Sequence, residues 1–362
     1  MKTNYILQGS VFDRLKDIED ESIQCVVTSP PYWCLRDYGT AEWEGGDENC
    51  EHKVGRATRG GLSEMQSGNI GGFGDESIKN GGKCPKCGAI RKDKQLGLEE
   101  TPEEFVDNLV KMFREIKRVL REDGTVWLNL GDSYFGSSGQ GGKTEKQTTN
   151  TGSYHSHTRK SNTLKTKDLV GIPWRVAFAL QSDGWYLRQD IIWHKPNPMP
   201  ESVQDRCTKS HEYIFLLTKS AKYFYDADAV REPVSEISLK RAEYGWDCDR
   251  PSTKNASMNG KGIHTKKMGN RFVNPDGRNK RSVWTITTKP YKEAHFATFP
   301  PELPELCIKA GSREGDIVLD PFFGSGTTGW VAQRLGRKWI GVELNPEYIK
   351  IAEKRFMQQE LF

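Results

Sequence analysis

Two short stretches of this 362-residue chain carry side chains whose types and spacing suit group-transfer chemistry. One stretch reads Thr28-Ser-Pro-Pro-Tyr-Trp33, and the other reads Asp320-Pro-Phe-Phe-Gly-Ser-Gly-Thr-Thr328. A hydroxyl beside two prolines offers fixed hydrogen-bond acceptors, because proline lacks an N–H and holds its φ angle. A glycine-rich turn lets the backbone approach a ligand closely. The sequence therefore predicts a small nucleoside ligand held near a flat substrate.

The glycine-rich stretch contains Gly324-Ser-Gly-Thr-Thr-Gly329, which follows a predicted strand and opens a predicted helix. The free N–H groups of a helix start favour nucleotide ligands there. Glu343 ends the next predicted strand and is placed to accept hydrogen bonds from ribose hydroxyls. The bare glycine pattern is also typical of dinucleotide dehydrogenases. That reading is disfavoured because Asp-Pro-Phe-Phe differs from their usual turn and any remaining strands would have to come from earlier in the chain.

The proline-rich turn is suited to an exocyclic amine of a nucleobase. Such an amine is a poor nucleophile, because its lone pair is delocalised into the ring. If the Ser29 hydroxyl and the Pro30 carbonyl accept its hydrogens, the nitrogen becomes more tetrahedral and its lone pair can attack. Tyr32 could stack on a base that has left the duplex. The alternative is a strand-ending turn with a structural tyrosine.

Found in this order, the two stretches resemble the β group of amino-directed DNA methyltransferases, and the resemblance covers most of the chain. It implies methyl transfer from S-adenosyl-L-methionine to a base amine in double-stranded DNA, with a cognate restriction endonuclease as a partner that it allows. The implied catalytic residues are Ser29, Pro30, Pro31 and Tyr32, with Trp33 on the DNA-binding side. The implied donor-binding residues are Asp320, Phe322, Gly324, Gly326, Thr327, Glu343, Phe296 and Thr298. One departure is Ser10, which stands where many relatives carry aspartate.

The type of residue at position 29 bears on the target base. In the resembling family, serine at this place usually accompanies N4-cytosine targets, whereas aspartate or asparagine more often accompanies N6-adenine. We therefore expect cytosine N4, with adenine N6 as the alternative. Cytosine C5 methylation uses the cysteine of a Pro-Cys pair as its nucleophile. It is disfavoured because neither Cys25 nor Cys34 follows a proline. An alternative of another class is a non-catalytic, zinc-containing DNA-binding protein.

Four further residues have the types and spacing of a structural zinc site: Cys50-x-His52 and, after 31 intervening residues, Cys84-x-x-Cys87. Pro85 and Gly88 favour the tight turn of a zinc knuckle. With all four ligands from protein, such a zinc would hold an insertion in place and would not activate water. The alternative is a redox pair or free thiols beside a surface histidine.

Basic residues are concentrated in two segments, although the net charge is only +4. Residues 136–167 carry six Lys and Arg against one acid, and residues 226–292 carry fourteen against eight. Such segments favour contact with a polyanion, although solvated loops are the alternative. The residues expected to contact DNA there are Lys266, Lys267, Arg271, Arg278, Lys280 and Arg281.

Strands and helices alternate along the chain, which predicts a Rossmann-like α/β sheet with helices on both faces. We expect one catalytic domain over 1–362, with a zinc-binding insertion at 40–95, a flexible basic loop at 136–167 and a target-recognition region at 226–292. Strands are expected at 5–8, 23–28, 125–130, 186–194, 213–218, 222–225, 317–320 and 338–344. A capping box at Thr101-Pro-Glu-Glu104 predicts a helix that Gly124 ends.

Composition narrows the class of protein. The 35% hydrophobic and 28% charged content is typical of a soluble globular protein. The sequence lacks an apolar run of the roughly 18 residues that a membrane helix needs and lacks a signal peptide, so we expect a cytoplasmic protein.

Overall fold

The computed structural model describes residues 2–34, 38, 40–52, 83–84, 86–136, 161, 163–237, 274, 277–289 and 299–359. Most of the expected flexible basic loop and most of the expected target-recognition region lie outside the described residues. Phe296, Thr298, Lys266, Lys267 and Arg271 lie outside them as well.

Eight strands of the described chain form one sheet in the order β1-β10-β9-β2-β5-β7-β6-β8, and two more form a separate antiparallel pair, β3-β4. The strands are β1 (Tyr5–Gln8), β2 (Ile23–Thr28), β3 (Glu42–Glu44), β4 (Ile90–Lys92), β5 (Leu120–Leu130), β6 (Tyr186–His194), β7 (His211–Thr218), β8 (Val283–Thr285), β9 (Ile317–Asp320) and β10 (Lys338–Glu343).

All pairings in the large sheet are parallel except those of β7, which runs antiparallel to β5 and β6. The carboxyl ends of the other seven strands therefore meet at one edge. Ligands of open α/β sheets bind at this edge. The turn after β2, the glycine loop after β9 and Glu343 at the end of β10 all lie there, although the chain separates them widely.

Helices cover both faces of the sheet, as the sequence predicts. They are α1 (Val11–Arg14), α2 (Pro102–Val119), α3 (Ile172–Ser182), α4 (Glu302–Gly311), α5 (Thr327–Arg334) and α6 (Pro346–Gln359). Successive residues of β2 enter two different cores: Val26 packs with α2 and α3, whereas Cys25 and Val27 pack with α4 and α5. A strand covered on both faces is held firmly, and so is the turn that follows it.

Two expectations about local structure are wrong. Helix α2 begins as the capping box predicts, with Thr101 Oγ1 accepting from the Glu104 N–H at 3.1 Å, but it ends at Val119 and β5 starts at Leu120. Gly124 lies inside β5, where a Cβ atom would come within 2.7 Å of the Leu120 side chain. Residues 222–225 form no strand, although the Phe224 N–H donates to the Asp123 carbonyl at 2.9 Å.

None of the helices in the described part of the chain is both long and apolar enough to span a membrane.

Candidate active site

The turn after β2 and the loop after β9 are joined directly by a buried carboxyl group. Asp320 Oδ1 accepts from the Thr28 hydroxyl at 2.9 Å, and Oδ2 accepts from the Thr328 hydroxyl at 2.6 Å. Burial raises the pKa of Asp320 to about 7, although these hydroxyls and the Phe322 N–H lower it. Because Thr28 immediately precedes Ser29, this contact fixes the two motifs relative to each other.

A cleft opens at the carboxyl edge between these two segments. It holds about 920 Å³ of space, including the part that is open to solvent, which is within the size range of small-ligand sites. Of the residues named from the sequence, Ser29, Pro31, Phe322, Gly324 and Glu343 line it. Ser10, which was also named from the sequence, lines it too, as do Thr40, Lys94, Ser325 and Tyr348.

The glycine loop has open space for a ligand, and it also has a polar group that could bind one. Gly324 has φ +51°, which favours glycine, and a Cβ atom there would meet nothing within 4 Å. Ser325 is buried, lines the cleft, and its hydroxyl has no hydrogen-bond partner among the described residues. A buried hydroxyl without a partner is costly. The loop therefore fits a ligand that carries hydrogen-bonding groups.

Glu343 is already partly engaged in holding this loop. Its Oε2 accepts from the Gly324 N–H at 2.7 Å, and its Oε1 accepts from the Asn345 N–H at 2.8 Å. A carboxylate has about four acceptor positions, so two remain for ribose hydroxyls. The pKa of Glu343 is raised overall, because the effect of burial exceeds the lowering by the two N–H groups.

Three residues expected around the donor do not line the cleft. The Asp320 carboxyl is turned inward to Thr28 and Thr328, so its expected contact with the donor stays a prediction. Gly326 caps α5 at φ +76°, and its open side is filled by Ala352, Phe323 and Phe356. Thr327 is buried and accepts from Arg355 at 2.9 Å. These residues shape the loop from behind.

Tyr32 lies at the centre of a polar network that extends away from the cleft. Its hydroxyl donates to Glu212 Oε2 at 2.7 Å, and the Ser29 hydroxyl donates to the Tyr32 oxygen at 3.4 Å. Burial raises the pKa of Tyr32 well above its usual value, and the Glu212 charge raises it further. The phenol is therefore held neutral and acts as a donor.

The Glu212 carboxylate has two further partners, a hydrogen-bond donor and a cation. Asn129 Nδ2 donates to Oε2 at 3.1 Å, and the Lys195 ammonium group pairs with Oε1. Lys195 Nζ also lies 4.3 Å from the centre of the Trp193 ring. Glu212 could not be identified from the sequence. It follows Tyr32 by 180 residues, at the start of the reversed strand β7, so no spacing rule connects the two.

Close packing fixes the plane of the Tyr32 ring. A Cβ atom at Gly131 would lie 2.5 Å from the ring, so only glycine fits there. Trp33, by contrast, is 1% exposed and donates to the Glu99 carbonyl at 3.0 Å. Its expected place on the DNA-binding side is wrong, because the indole belongs to the core beneath α2. Pro30 is buried as well.

The four residues expected to bind zinc come together, although long segments between them lie outside the described residues. One ligand atom from each of Cys50, His52, Cys84 and Cys87 lies within 4.8 Å of the others. Cys50 Sγ is 4.0 Å from Cys84 Sγ, and Cys87 Sγ is 3.4 Å from His52 Nδ1. Zn–S distances of about 2.3 Å in a tetrahedron place ligands roughly 3.5–4 Å apart. The donor set and spacing therefore fit tetrahedral zinc.

The three basic residues that were expected to contact DNA and that are described lie around one carboxylate. Glu232 pairs with Arg278 at 3.2 Å, Lys280 at 3.4 Å and Arg281 at 2.8 Å. Burial raises the pKa of Glu232, but the hydrogen bonds from Arg281 and the nearby positive charges lower it overall. Three cations against one anion leave a local positive surface.

Comparison with known proteins places these features in context. The family model described as DNA methylase, which covers N6 and N4 methyltransferases, matches residues 23–354. The type II methyltransferase M.SmaI of Serratia marcescens is 40% identical over 359 residues, covering 98% of this chain and 91% of that protein. M.Cfr9I of Citrobacter freundii is 40% identical over 356 residues, covering 98% and 88%.

Among solved structures, the cytosine-N4-specific PvuII DNA methyltransferase matches with a TM-score of 0.56 and 17% identity, covering 98% of this chain and 87% of that one. A DNA modification methylase of Thermus thermophilus, solved with S-adenosyl-L-methionine, matches with a TM-score of 0.52 and 20% identity, covering 98% and 93%. At these identities the likeness supports the fold.

Proposed function

Since the chain belongs to the DNA methylase family and is a DNA methyltransferase, we propose that it moves a methyl group from S-adenosyl-L-methionine to the exocyclic N4 amine of cytosine in double-stranded DNA. The observation that carries this proposal is that Ser29, Gly324 and Glu343 line one cleft. The named relatives are type II methyltransferases of restriction-modification systems, which supports a cognate endonuclease as a partner.

The donor is proposed to lie along the glycine loop. Glu343 would accept from its ribose hydroxyls with the two acceptor positions that the loop leaves over. The unpartnered Ser325 hydroxyl supplies another bonding group, and Tyr348 supplies an aromatic side chain. When bound, S-adenosyl-L-methionine supplies an electrophilic methyl group on a positively charged sulfur.

Ser29 is proposed to orient the amine that accepts the methyl group. Ser29 lines the cleft, and its hydroxyl donates to the Tyr32 oxygen at 3.4 Å. Together with the Pro30 carbonyl it would accept the two amine hydrogens and direct the nitrogen lone pair toward the donor. This is catalysis by positioning and electrostatics. Serine at this position supports cytosine over adenine by the family pattern.

Tyr32 is proposed to hold the target base after it leaves the duplex. Gly131 and Glu212 fix the ring from two directions, so its face is presented in one orientation. A rigid aromatic face loses little entropy when a base stacks on it, and such stacking is worth about 1–3 kcal/mol.

The test is to identify the modified nucleoside. Purified protein is incubated with labelled S-adenosyl-L-methionine and mixed-sequence duplex DNA, and the DNA is then digested to nucleosides. We expect the label in N4-methyldeoxycytidine. Label in N6-methyldeoxyadenosine alone would refute the cytosine assignment and leave the DNA methyltransferase intact. DNA binding without any transfer would instead favour a non-catalytic DNA-binding protein.

Removal of the Glu212 side chain is expected to impair catalysis without affecting the donor. In Glu212→Ala, Tyr32 loses a charge-assisted hydrogen bond worth about 1.5–3 kcal/mol, and Lys195 loses its partner. We expect kcat/KM for DNA to fall about 10–100-fold with unchanged affinity for S-adenosyl-L-methionine. Glu212→Gln keeps an acceptor for Tyr32 and should recover part of the loss. An equal loss of donor affinity would show that Glu212 acts on the whole fold.

A structural zinc ion is proposed at Cys50, His52, Cys84 and Cys87. It would hold together the two ends of the segment between β3 and β4, and so keep these two strands paired. Thr40 lies two residues before β3, and Lys94 lies two residues after β4, and both line the cleft. The zinc would thus support one wall of the donor site.

Metal analysis of purified protein is expected to give about one zinc per chain. Cys84→Ser should lose most of the metal, because a hydroxyl is a poor zinc ligand. Cys207→Ser is the matched control, since Cys207 is exposed and outside the cluster. A wild-type protein purified without zinc, which also takes none up on refolding with zinc, would end this proposal.

The surface around Glu232 is proposed to contact DNA phosphates through Arg278, Lys280 and Arg281. The region 226–292, which includes Lys266, Lys267 and Arg271, is proposed to read the target sequence. Phe296 and Thr298 are proposed to lie along the methionine end of the donor.

A further inference from the structure

A methionine is almost fully exposed to solvent in the loop that follows the carboxyl end of β6. Met199 is 86% exposed, and it lies between Pro198 and Pro200 in the connection from β6 to β7. Single exposed apolar side chains are common and carry no message alone. Here the two prolines restrict the backbone on both sides, so the side chain is presented from a stiff segment.

The connection that carries Met199 is also pinned at several points. Asn197 Nδ2 donates to the Thr288 carbonyl at 3.1 Å, and the Thr288 N–H donates back to Asn197 Oδ1 at 3.0 Å. On the other side, Arg206 donates to Glu201 at 2.5 Å and lies 3.9 Å from the centre of the Tyr134 ring. Met199 therefore projects from a loop that is held on both sides.

The loop begins within the network that holds Tyr32. Lys195 pairs with Glu212, which accepts from the Tyr32 hydroxyl. Four residues of extended chain span at most about 14 Å, so Met199 lies no farther than that from Lys195 along the backbone. This is comparable to the roughly 12 Å width of the DNA major groove. Because β6 ends at the carboxyl edge of the sheet, this loop leaves from the edge at which the cleft and the turn that carries Tyr32 lie, and we expect a duplex bound at that edge to reach Met199.

We propose that Met199 enters the DNA stack and fills the space that the target base leaves when it swings out. Methionine is among the apolar side chains that proteins insert between base steps. Its flexible thioether chain adapts to irregular gaps. Because extrusion costs unpairing and unstacking energy, an inserted side chain stabilises the open state. This inference rests on the proposed function, since it assumes a flipped base.

The test compares duplexes that differ in the cost of flipping. The methylated sequence is mapped first by sequencing modified DNA, and two short duplexes carrying it are made. In one the target base is paired normally, and in the other it faces an abasic position. We expect Met199→Ala to lower kcat/KM at least tenfold relative to wild type on the paired duplex. On the abasic duplex the two proteins should agree within about twofold.

Two control variants sharpen the comparison. Met199→Leu keeps an apolar wedge and should stay near wild type, and Met357→Ala removes another exposed methionine, 64% exposed on α6, and should change nothing. Equal activity of Met199→Ala and wild type on the paired duplex would overturn the wedge. An equal loss on both duplexes would also overturn it, as that marks a general DNA contact. Failure of the mapping step to find any methylated base would refute the proposed function instead.

Discussion

Ser29→Ala is expected to lower turnover by about 100- to 1,000-fold while leaving donor affinity unchanged. In the proposed mechanism the Ser29 hydroxyl accepts an amine hydrogen and makes the nitrogen lone pair available for attack, so we expect its loss to act mainly on the transition state. Removing one preorganised hydrogen-bonding group from an active site typically costs about 3–4 kcal/mol. Single-turnover methylation measures the rate, and calorimetric titration with S-adenosyl-L-methionine measures the affinity.

The matched control for this experiment is Ser22→Ala. Ser22 lies just before β2, and its hydroxyl donates to the Glu19 carbonyl at 2.7 Å, so the substitution removes a serine from the opposite end of the same strand. We expect Ser22→Ala to turn over within about twofold of wild type. Methylation by Ser29→Ala at the wild-type rate would remove Ser29 from the mechanism.

Glu343→Ala is expected to show the opposite pattern, with weak donor binding as the primary defect. Without the carboxylate the donor would lose two ribose hydrogen bonds, each worth about 1.5–3 kcal/mol. Kd for S-adenosyl-L-methionine should therefore rise at least about 100-fold. The Gly324 and Asn345 N–H groups also lose their acceptor, which loosens the loop. Calorimetry with S-adenosyl-L-methionine measures the change.

Glu347→Ala is the comparison for that variant. Glu347 is exposed in the first turn of α6 and pairs with Lys350 at 2.7 Å, so its loss should leave donor affinity within about twofold. Donor affinity of Glu343→Ala equal to wild type would show that the ribose lies elsewhere. Thermal unfolding of both variants separates loss of binding from loss of fold.

Local sequence signals predicted the elements that position the site. The Thr101 capping box, the strand before Ser29 and the strand–loop–helix around Gly324 each depend on neighbouring residues, and the structure has them. The prediction that Gly124 ends the helix was wrong. Glycine is common at helix ends, but it also permits close packing, and here it packs against Leu120 within β5. That choice depends on tertiary contacts.

The direction in which site residues point could not be predicted in the same way. Asp320 precedes a ligand loop, but Thr28 and Thr328 draw its carboxyl inward, and they lie in different parts of the chain. Trp33 directly follows the proline-rich turn, yet it packs beneath α2. Glu212 reaches Tyr32 only because β7 is reversed and starts at the ligand edge.

A structure with donor and DNA bound tests the central claim most directly. A crystal of the protein with S-adenosylhomocysteine and a duplex carrying the methylated sequence is expected to show the ribose on Glu343 and the donor sulfur facing Ser29. The amine of the flipped base should lie within hydrogen-bond distance of the Ser29 hydroxyl, with its ring on Tyr32. A donor bound away from Glu343, or a target amine out of reach of Ser29, would contradict the account.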